Sequence, residues 1–238
     1  MRKIMVRLDK FLCDCNIGTR SQVKDFIRMG QVTVNGQVMK KADCKVDENK
    51  DSIAFRGELC GYRRFAYYML HKPAGVVSAT VDNTADTVMS LLKNVNDKEL
   101  FPVGRLDKDT TGLLLITNDG ELAHRLLSPK KHVDKSYLVQ IACPLNAEAV
   151  QKLSEGVDIG DEELTLPAKV QILDDSYIIL TIHEGRFHQV KRMLKEVDNE
   201  VLSLKRISFG PLTLPDDLQP GEFRELTHEE VTILQKKA

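Results

Sequence analysis

Residues 104–112 read Gly-Arg-Leu-Asp-Lys-Asp-Thr-Thr-Gly and run directly into Leu-Leu-Leu-Ile at 113–116. The apolar run reads as a buried strand, so the segment before it is a loop tied to the core. Gly104 and Gly112 bracket that loop and permit the backbone angles of a tight turn. An Asp in such a loop is ordinarily a turn former. Around Asp107 and Asp109, however, stand Arg105, Lys108 and, further on, Arg125, and two threonines follow at once. That surrounding charge points to chemistry at Asp107.

Asp107 also begins a stretch that resembles a calcium-binding loop, but the twelfth position is Asn118, where such a loop needs a bidentate Glu. Asp-x-Asp-x-Thr is also the pattern of phosphatases with an aspartate nucleophile. Those place the aspartate after a strongly apolar strand, whereas Phe-Pro-Val-Gly-Arg-Leu precedes it here, and Pro102 and Gly104 make a poor strand interior.

The 238 residues have room for one ordinary domain and a smaller one. No apolar run reaches membrane-spanning length, and Met-Arg-Lys-Ile-Met-Val-Arg at the start lacks a signal-peptide apolar core. Five cysteines with no Cys-x-x-Cys pair fit reduced thiols, and the expected location is the cytoplasm. The net charge of −1 conceals an asymmetry. Residues 1–60 hold 12 Lys/Arg against 8 Asp/Glu, a balance of +4, and the remainder holds 22 against 27, or −5. A basic module on an acidic body suggests a polyanionic partner.

Within that module Val6, Leu8, Phe11, Leu12 and Cys15 recur at helical spacing, with Asn16-Ile17-Gly18 as the stop. Thr19 and Gln22 form a capping box for a second helix with Val23, Phe26 and Ile27 on its apolar face and Gly30 at its end. Gln31-Val32-Thr33-Val34-Asn35-Gly36-Gln37-Val38 alternates around Asn-Gly, a strong hairpin signal. Residues 53–64 finish the module, and Gly57 and Gly61 suggest a hinge there. Two short helices and a hairpin, opening Arg-Leu-Asp-Lys-Phe-Leu and closing Gly-x-Val-x-Val-Asn-Gly, resemble the S4 RNA-binding module over about residues 5–52. The resemblance implies phosphate contacts by Lys10, Thr19, Arg20, Ser21, Lys24 and Arg28, with Lys40 and Lys41 nearby. A helix N-terminus flanked by Arg and Lys suits a phosphate.

Beyond the module, residues 65–70 read as a strand and His71-Lys72-Pro73-Ala74-Gly75 as a turn. Residues 84–92 are a helix candidate, and 121–127 form a helix after the Asn118-Asp119-Gly120 turn, ended by Ser128-Pro129. Lys135-Ser136-Tyr137-Leu138-Val139 begins a strand, Asn146 caps a helix ended by Gly156, and residues 157–182 alternate as sheet. His183 and His188 are five apart, not four, so they do not share the helical face a zinc site needs, and no metal is expected. Residues 201–209 read as a strand into Gly210-Pro211-Leu212, and Thr227 with Glu230 caps a final helix.

Taken together, Lys-Pro-x-Gly at 72–75, Gly-Arg-Leu-Asp-x-x-Thr-x-Gly-Leu-Leu at 104–114, Lys-x-Tyr-x-Val at 135–139 and Gly-Arg-Phe-His-Gln-Val-Lys-Arg-Met-Leu at 185–194 resemble the pseudouridine synthases that modify ribosomal RNA. The resemblance covers essentially the whole chain. It implies an α+β protein: an S4-like domain at 1–60, then a catalytic domain at 61–238 with a mixed, mainly antiparallel sheet. It implies Asp107, Tyr137 and Lys191 as catalytic residues, with Lys191 holding Asp107 ionised and Tyr137 stacking on the base. Arg105, Thr111 and Gln189 support the site, and Lys72 and Arg186 join the RNA-binding residues. No cofactor and no metal are implied. The expected partner is ribosomal RNA, met by a monomer.

Asp-Thr-Thr-Gly and the Ser-Pro-to-Lys-x-Tyr spacing resemble the small-subunit (16S) branch, with a 23S enzyme as the alternative. A non-catalytic S4-type RNA-binding protein and a magnesium-dependent phosphatase are the rival classes.

Overall fold

In a computed structural model, residues 5–15, 17–48, 50–60, 65–95, 97–128 and 131–237 are described. Asn16, Pro129 and residues 61–64 at the end of the 53–64 linker, Gly61 of the expected hinge among them, lie outside them. The chain divides into two compact units, Met1–Phe65 and Ala66–Ala238.

The first unit begins with β1 (Met5–Arg7), followed at once by α1 (Leu8–Asp14). Val6 therefore lies on a strand and not on the helix its spacing suggested. β1 pairs antiparallel with Lys45–Asp47, and Leu8 and Asp9 donate their N–H groups to Cys44 and Ala42 carbonyls. Strand pairing holds the chain extended to Arg7 and delays the helix. Asp9 is buried but accepts a bidentate pair from Arg7 at 3.0 and 2.8 Å, which keeps its carboxyl below the usual range. α2 (Arg20–Arg28) has the expected capping box: the Thr19 hydroxyl accepts from Gln22 N–H, and Thr19 N–H donates to Gln22 Oε1. β2 (Val32–Val34) and β3 (Gln37–Val38) form the hairpin, with Asn35 and Gly36 at φ 50° and 79°, as a type I′ turn requires. β4 is the Lys45–Asp47 strand; β5 (Ile53–Phe55) and β6 (Glu58–Leu59) close a second hairpin through Arg56 and Gly57. Gly57 thus makes a tight turn inside a sheet, not a hinge. Leu8, Phe11, Leu12, Val23, Ile27, Val32, Val46 and Ile53 fill the core.

The second unit is built on one mixed sheet. Its elements are β7 (Tyr67–Lys72), β8 (Phe101–Pro102), β9 (Thr111–Thr117), α3 (Gly120–Leu127), β10 (Lys135–Ile141), α4 (Ala147–Glu155) and β11 (Lys169–Ile172). They continue with β12 (Tyr177–Ile182), α5 (Gln189–Lys195), β13 (Val201–Phe209), β14 (Leu212–Thr213), β15 (Phe223–Glu225) and α6 (His228–Lys237). The strand order is β11-β12-β10-β13-β9-β7-β15, with β8 on β9 and β14 on β13. Among these strands only β9 and β13 pair in parallel and the other pairs are antiparallel; outside them Val77 and Thr87 form an isolated parallel bridge. The mainly antiparallel α+β reading holds.

Two local readings change. Residues 84–92 form a single 3-10 turn at Val88–Leu91. The Asp82 carboxylate captures the N–H groups of Thr84 and Ala85, an Asx turn that competes with the helix start. Of 157–182, only β11 and β12 are strand; 157–168 is irregular, tied by Thr165 N–H to the Val157 carbonyl. The predicted caps form: Asn146 accepts from Ala149 N–H, and Thr227 and Glu230 cap α6 reciprocally. Asp119, read as part of a turn, caps α3 by accepting from Leu122 N–H.

Candidate active site

The parallel β9–β13 junction explains the second glycine of the Asp107 loop. A Cβ on Gly112 would lie 2.2 Å from the carbonyl oxygen of its partner Arg206, and its φ is +105°. The loop leaves β8, returns at this junction, and carries Asp107 between two well-anchored strands.

Several buried groups fix its path. Leu106 N–H donates to Ser78 Oγ, which donates back to the Leu106 carbonyl. Gly75 N–H reaches the Lys108 carbonyl at 2.8 Å. From beneath, Lys72 Nζ donates to the carbonyls of Asp107 (2.9 Å), Thr110 (2.8 Å), Lys108 (3.3 Å) and Pro73 (3.1 Å). Lys72 is fully buried at the end of β7, and desolvation pushes its pKa down to about 8, against the pull of Asp109 and Asp107. Its donors are engaged inside the protein, so it holds the loop and presents no charge to an RNA phosphate. That corrects the RNA-binding reading of Lys72.

With the loop carbonyls gathered beneath, the Asp107 carboxylate turns to the opposite side. There α5 supplies Lys191, whose Nζ lies 3.2 Å from Asp107 Oδ2. It also meets Asp109 at 2.7 and 2.9 Å. Burial alone would lower the Lys191 pKa; hydrogen bonds to Asp109 and Asp107 outweigh it and raise the value. The bond from Lys191 in turn holds the Asp109 carboxyl below its usual range. His188 Nε2 stands 3.6 Å from Asp107 Oδ1.

Asp107, Tyr137, Arg105, Gln189 and Lys191 line one cavity of about 70 Å³, and a larger one of about 690 Å³ adjoins it at Arg105, Asp107 and His188. Tyr137 is buried on β10, cross-strand from Leu180 and Arg206. Lys135, two residues earlier on the same face, donates to the Val133 carbonyl at 2.7 Å. Burial and then the Arg206 charge push its pKa down to about 8.

The remaining predicted residues divide. Gln189 is buried, donates to Glu184 at 2.8 Å and accepts from Arg186 N–H, so it braces the turn before α5. Arg186 uses its guanidinium on Glu184, Asp161 and the carbonyls of Glu163 and Leu164. It braces the same turn and also lines both cavities, with 21% of its side chain exposed. Arg105 is exposed at the cavity wall. Thr111 opens β9 and lies off the cavity; the threonine that lines it is Thr110, whose buried hydroxyl has no hydrogen-bond partner among the described residues. The Thr-x-Gly of the motif marks Thr110, so the signal was in the sequence. Asp109 and His188 were also missed; their cue was spacing, two from Asp107 and three from Lys191.

On the first unit, Lys10, Arg20, Ser21, Lys24 and Arg28 are exposed, as are Lys40 and Lys41. The Thr19 hydroxyl is engaged in the cap. No helix among the described residues is long and apolar enough to cross a membrane.

An RNA pseudouridylate synthase family model matches residues 66–196, and an S4 domain model matches 6–51. The chain belongs to the RNA pseudouridylate synthase family. It is 47% identical to the uncharacterized RNA pseudouridine synthase YtzG of Bacillus subtilis, over 96% of this chain and 98% of that one. It is 42% identical to the ribosomal small subunit pseudouridine synthase A of Vibrio cholerae, over 97% and 100%, and 40% identical to that of Escherichia coli, over 95% and 98%. A crystal structure of a pseudouridylate synthase superimposes with a TM-score of 0.68 at 40% identity, covering 96% of this chain and 99% of that one. The chain is therefore an RNA pseudouridine synthase with an S4 domain, and its Asp107 loop, Tyr137 strand and Lys191 helix all fall within the matched catalytic region.

Proposed function

We propose that this synthase isomerises a specific uridine of 16S ribosomal RNA to pseudouridine, with Asp107 as the reacting carboxylate and no cofactor. The observation that carries the proposal is the convergence of Asp107, Lys191 and Tyr137 from three separate elements on one cavity. The small-subunit names of relatives at 40–42% identity over nearly the full chain support the choice of RNA.

The reaction breaks the N1–C1′ bond of the uridine, turns the base and rejoins it through C5, whose proton passes to solvent. Substrate and product are isomers, so no redox partner or group donor enters the balance. The base leaves its stack to reach the carboxylate, at about a few kcal/mol. Asp107 acts as an anion, as nucleophile at C1′ or as the base that starts detachment. Lys191 supplies the counter-charge that keeps that anion in a partly closed site. Tyr137 presents its ring to the base. In the first unit Lys10, Arg20, Ser21, Lys24 and Arg28, with Lys40 and Lys41 beside them, take phosphates. The synthase works as a monomer in the cytoplasm.

The test is tritium release from 16S and 23S transcripts labelled at uridine C5, followed by mapping of the modified position. Release from 16S RNA at one site, undiminished in EDTA, is expected. Release from 23S RNA alone would overturn the choice of RNA, and a strict metal requirement would overturn the mechanism.

A further inference from the structure

The turn that precedes α5 exposes a large aromatic side chain at the mouth of the active cavity. Phe187 is 73% exposed, although the chain has few aromatic residues and no tryptophan. Its ring stacks on His188 with centroids 3.8 Å apart and planes 18° from parallel. His188 is the residue whose Nε2 faces Asp107 at 3.6 Å. Both rings line the larger cavity together with Asp107, Arg105 and Lys108.

This exposure is held in place by its surroundings. The Phe187 carbonyl accepts from Arg192 at 3.0 Å, and Arg186 on its other side is clamped by Glu184 and two carbonyls. His188 occupies the left-handed region at φ 48° as the N-cap of α5, which sets the ring pair at the cavity mouth. An apolar ring so braced, with its outer face open to water, contributes nothing to the core. Its inner face is already covered by an imidazole.

We infer that Phe187, backed by His188, is a stacking platform for an RNA base next to the reacting uridine. This inference rests on the RNA-modifying reading of the Asp107 cavity and deepens it. A flat ring accepts any base face, and the adjacent Arg105 and Lys108 suit the flanking phosphates. A base seated on Phe187 lies two rings away from Asp107. The platform thus holds the neighbouring nucleotide while the target base enters the cavity, and it favours the unstacked state the reaction needs.

The absence of tryptophan allows a direct probe. Phe187→Trp places a single indole at the platform, and in vitro transcribed 16S RNA should quench its fluorescence on binding. Phe187→Ala and Phe187→Leu should lower kcat/KM for tritium release by roughly five- to a hundredfold, the range for losing one base–aromatic stack. Phe187→Tyr should stay within about twofold of wild type. Because the side chain is exposed, all four variants should melt like wild type. Full activity in Phe187→Leu would show that area and not a π-face matters, and would overturn the platform. So would unquenched indole with RNA bound. Wild-type protein inactive on 16S RNA would instead strike the uridine reading, and the quenching measurement still decides the platform by itself.

Discussion

Lys72, fully buried, donates to the carbonyl of Asp107 at 2.9 Å from the inner side of the loop. The same ammonium collects three further carbonyls, so the loop is wound around a cation and its carboxylate is left facing the cavity. Lys72→Met keeps the apolar stem and removes every donor. It strands buried carbonyls, each costing about 1–3 kcal/mol, and should destabilise the second unit by about 3 kcal/mol. A displacement of even about 1 Å at Asp107 is enough to cost about a hundredfold in rate. Urea unfolding followed by tyrosine emission suits the measurement, since Tyr67, Tyr68, Tyr137 and Tyr177 all lie in this unit. A variant as stable and active as wild type would show that the lysine is no anchor.

Lys72 also predicts a pH dependence. Its pKa is about 8 in the folded state against 10.5 for the free side chain. Between those values the unfolded chain binds more protons than the folded one, so this group's contribution to stability rises with pH. Below about pH 8 both states are protonated and the contribution is flat. The stability lost in Lys72→Met should therefore grow between pH 7.5 and roughly 9.5, by about 1–2 kcal/mol at 1.36 kcal/mol per unit. A loss that shrinks over that interval would contradict a buried ammonium.

Asp107→Asn preserves size and removes charge and nucleophilicity. Tritium release should fall below detection while RNA affinity and melting temperature stay near wild type, because the loop is held through its carbonyls and not through this side chain. Substantial turnover in a clean preparation would remove Asp107 from the chemistry.

Lys191 serves two carboxylates, and its shorter contacts are to Asp109 at 2.7 and 2.9 Å, against 3.2 Å to Asp107. Asp109 is 73% exposed, so its pair with Lys191 is solvent-screened and worth little to stability. Asp109→Asn should therefore leave Lys191 to Asp107 and keep activity within a few-fold. Lys191→Met should lower single-turnover rates by about a hundredfold or more, and Lys191→Arg should retain part of the rate, since charge survives in a different shape. Lys195→Met, exposed on the same helix, is the control. Arg192 is unsuitable for that purpose because it binds Asp161 and the Phe187 carbonyl. Near-normal chemistry in Lys191→Met would show that another cation serves Asp107.

For the first unit, Lys24→Ala with Arg28→Ala removes two exposed charges from α2, of which Arg28 is loosely paired with Asp25 at 3.5 Å. The slope of log affinity for 16S RNA against log salt should flatten by up to about 0.9 per lost phosphate contact. An unchanged slope would place the RNA on another face.

Much of the fold was written locally. The Asn35-Gly36 hairpin, the Thr19–Gln22 and Thr227–Glu230 capping boxes and the apolar run after Gly112 each depend on dihedral preferences and hydrogen bonds within a few residues. Such signals survive in a linear string. They set the order of elements, the two-unit layout and the loop that carries Asp107. Where a neighbour in space competed, they yielded: pairing with β4 kept Val6 extended, and Asp82 cut the 84–92 helix to one turn.

The destinations of the cations were decided only in three dimensions. Lys72, Arg186 and Lys191 look alike in sequence, each a basic residue in a family motif. Folding buries the first under four carbonyls, clamps the second between Glu184 and the 163–164 backbone, and leaves the third shared between Asp107 and Asp109. A long cationic side chain takes whichever acceptors the tertiary fold gathers within its reach. For Lys72 three of the four acceptors come from residues 107–110, some 35 positions further along the chain, and no local rule of sequence encodes that meeting.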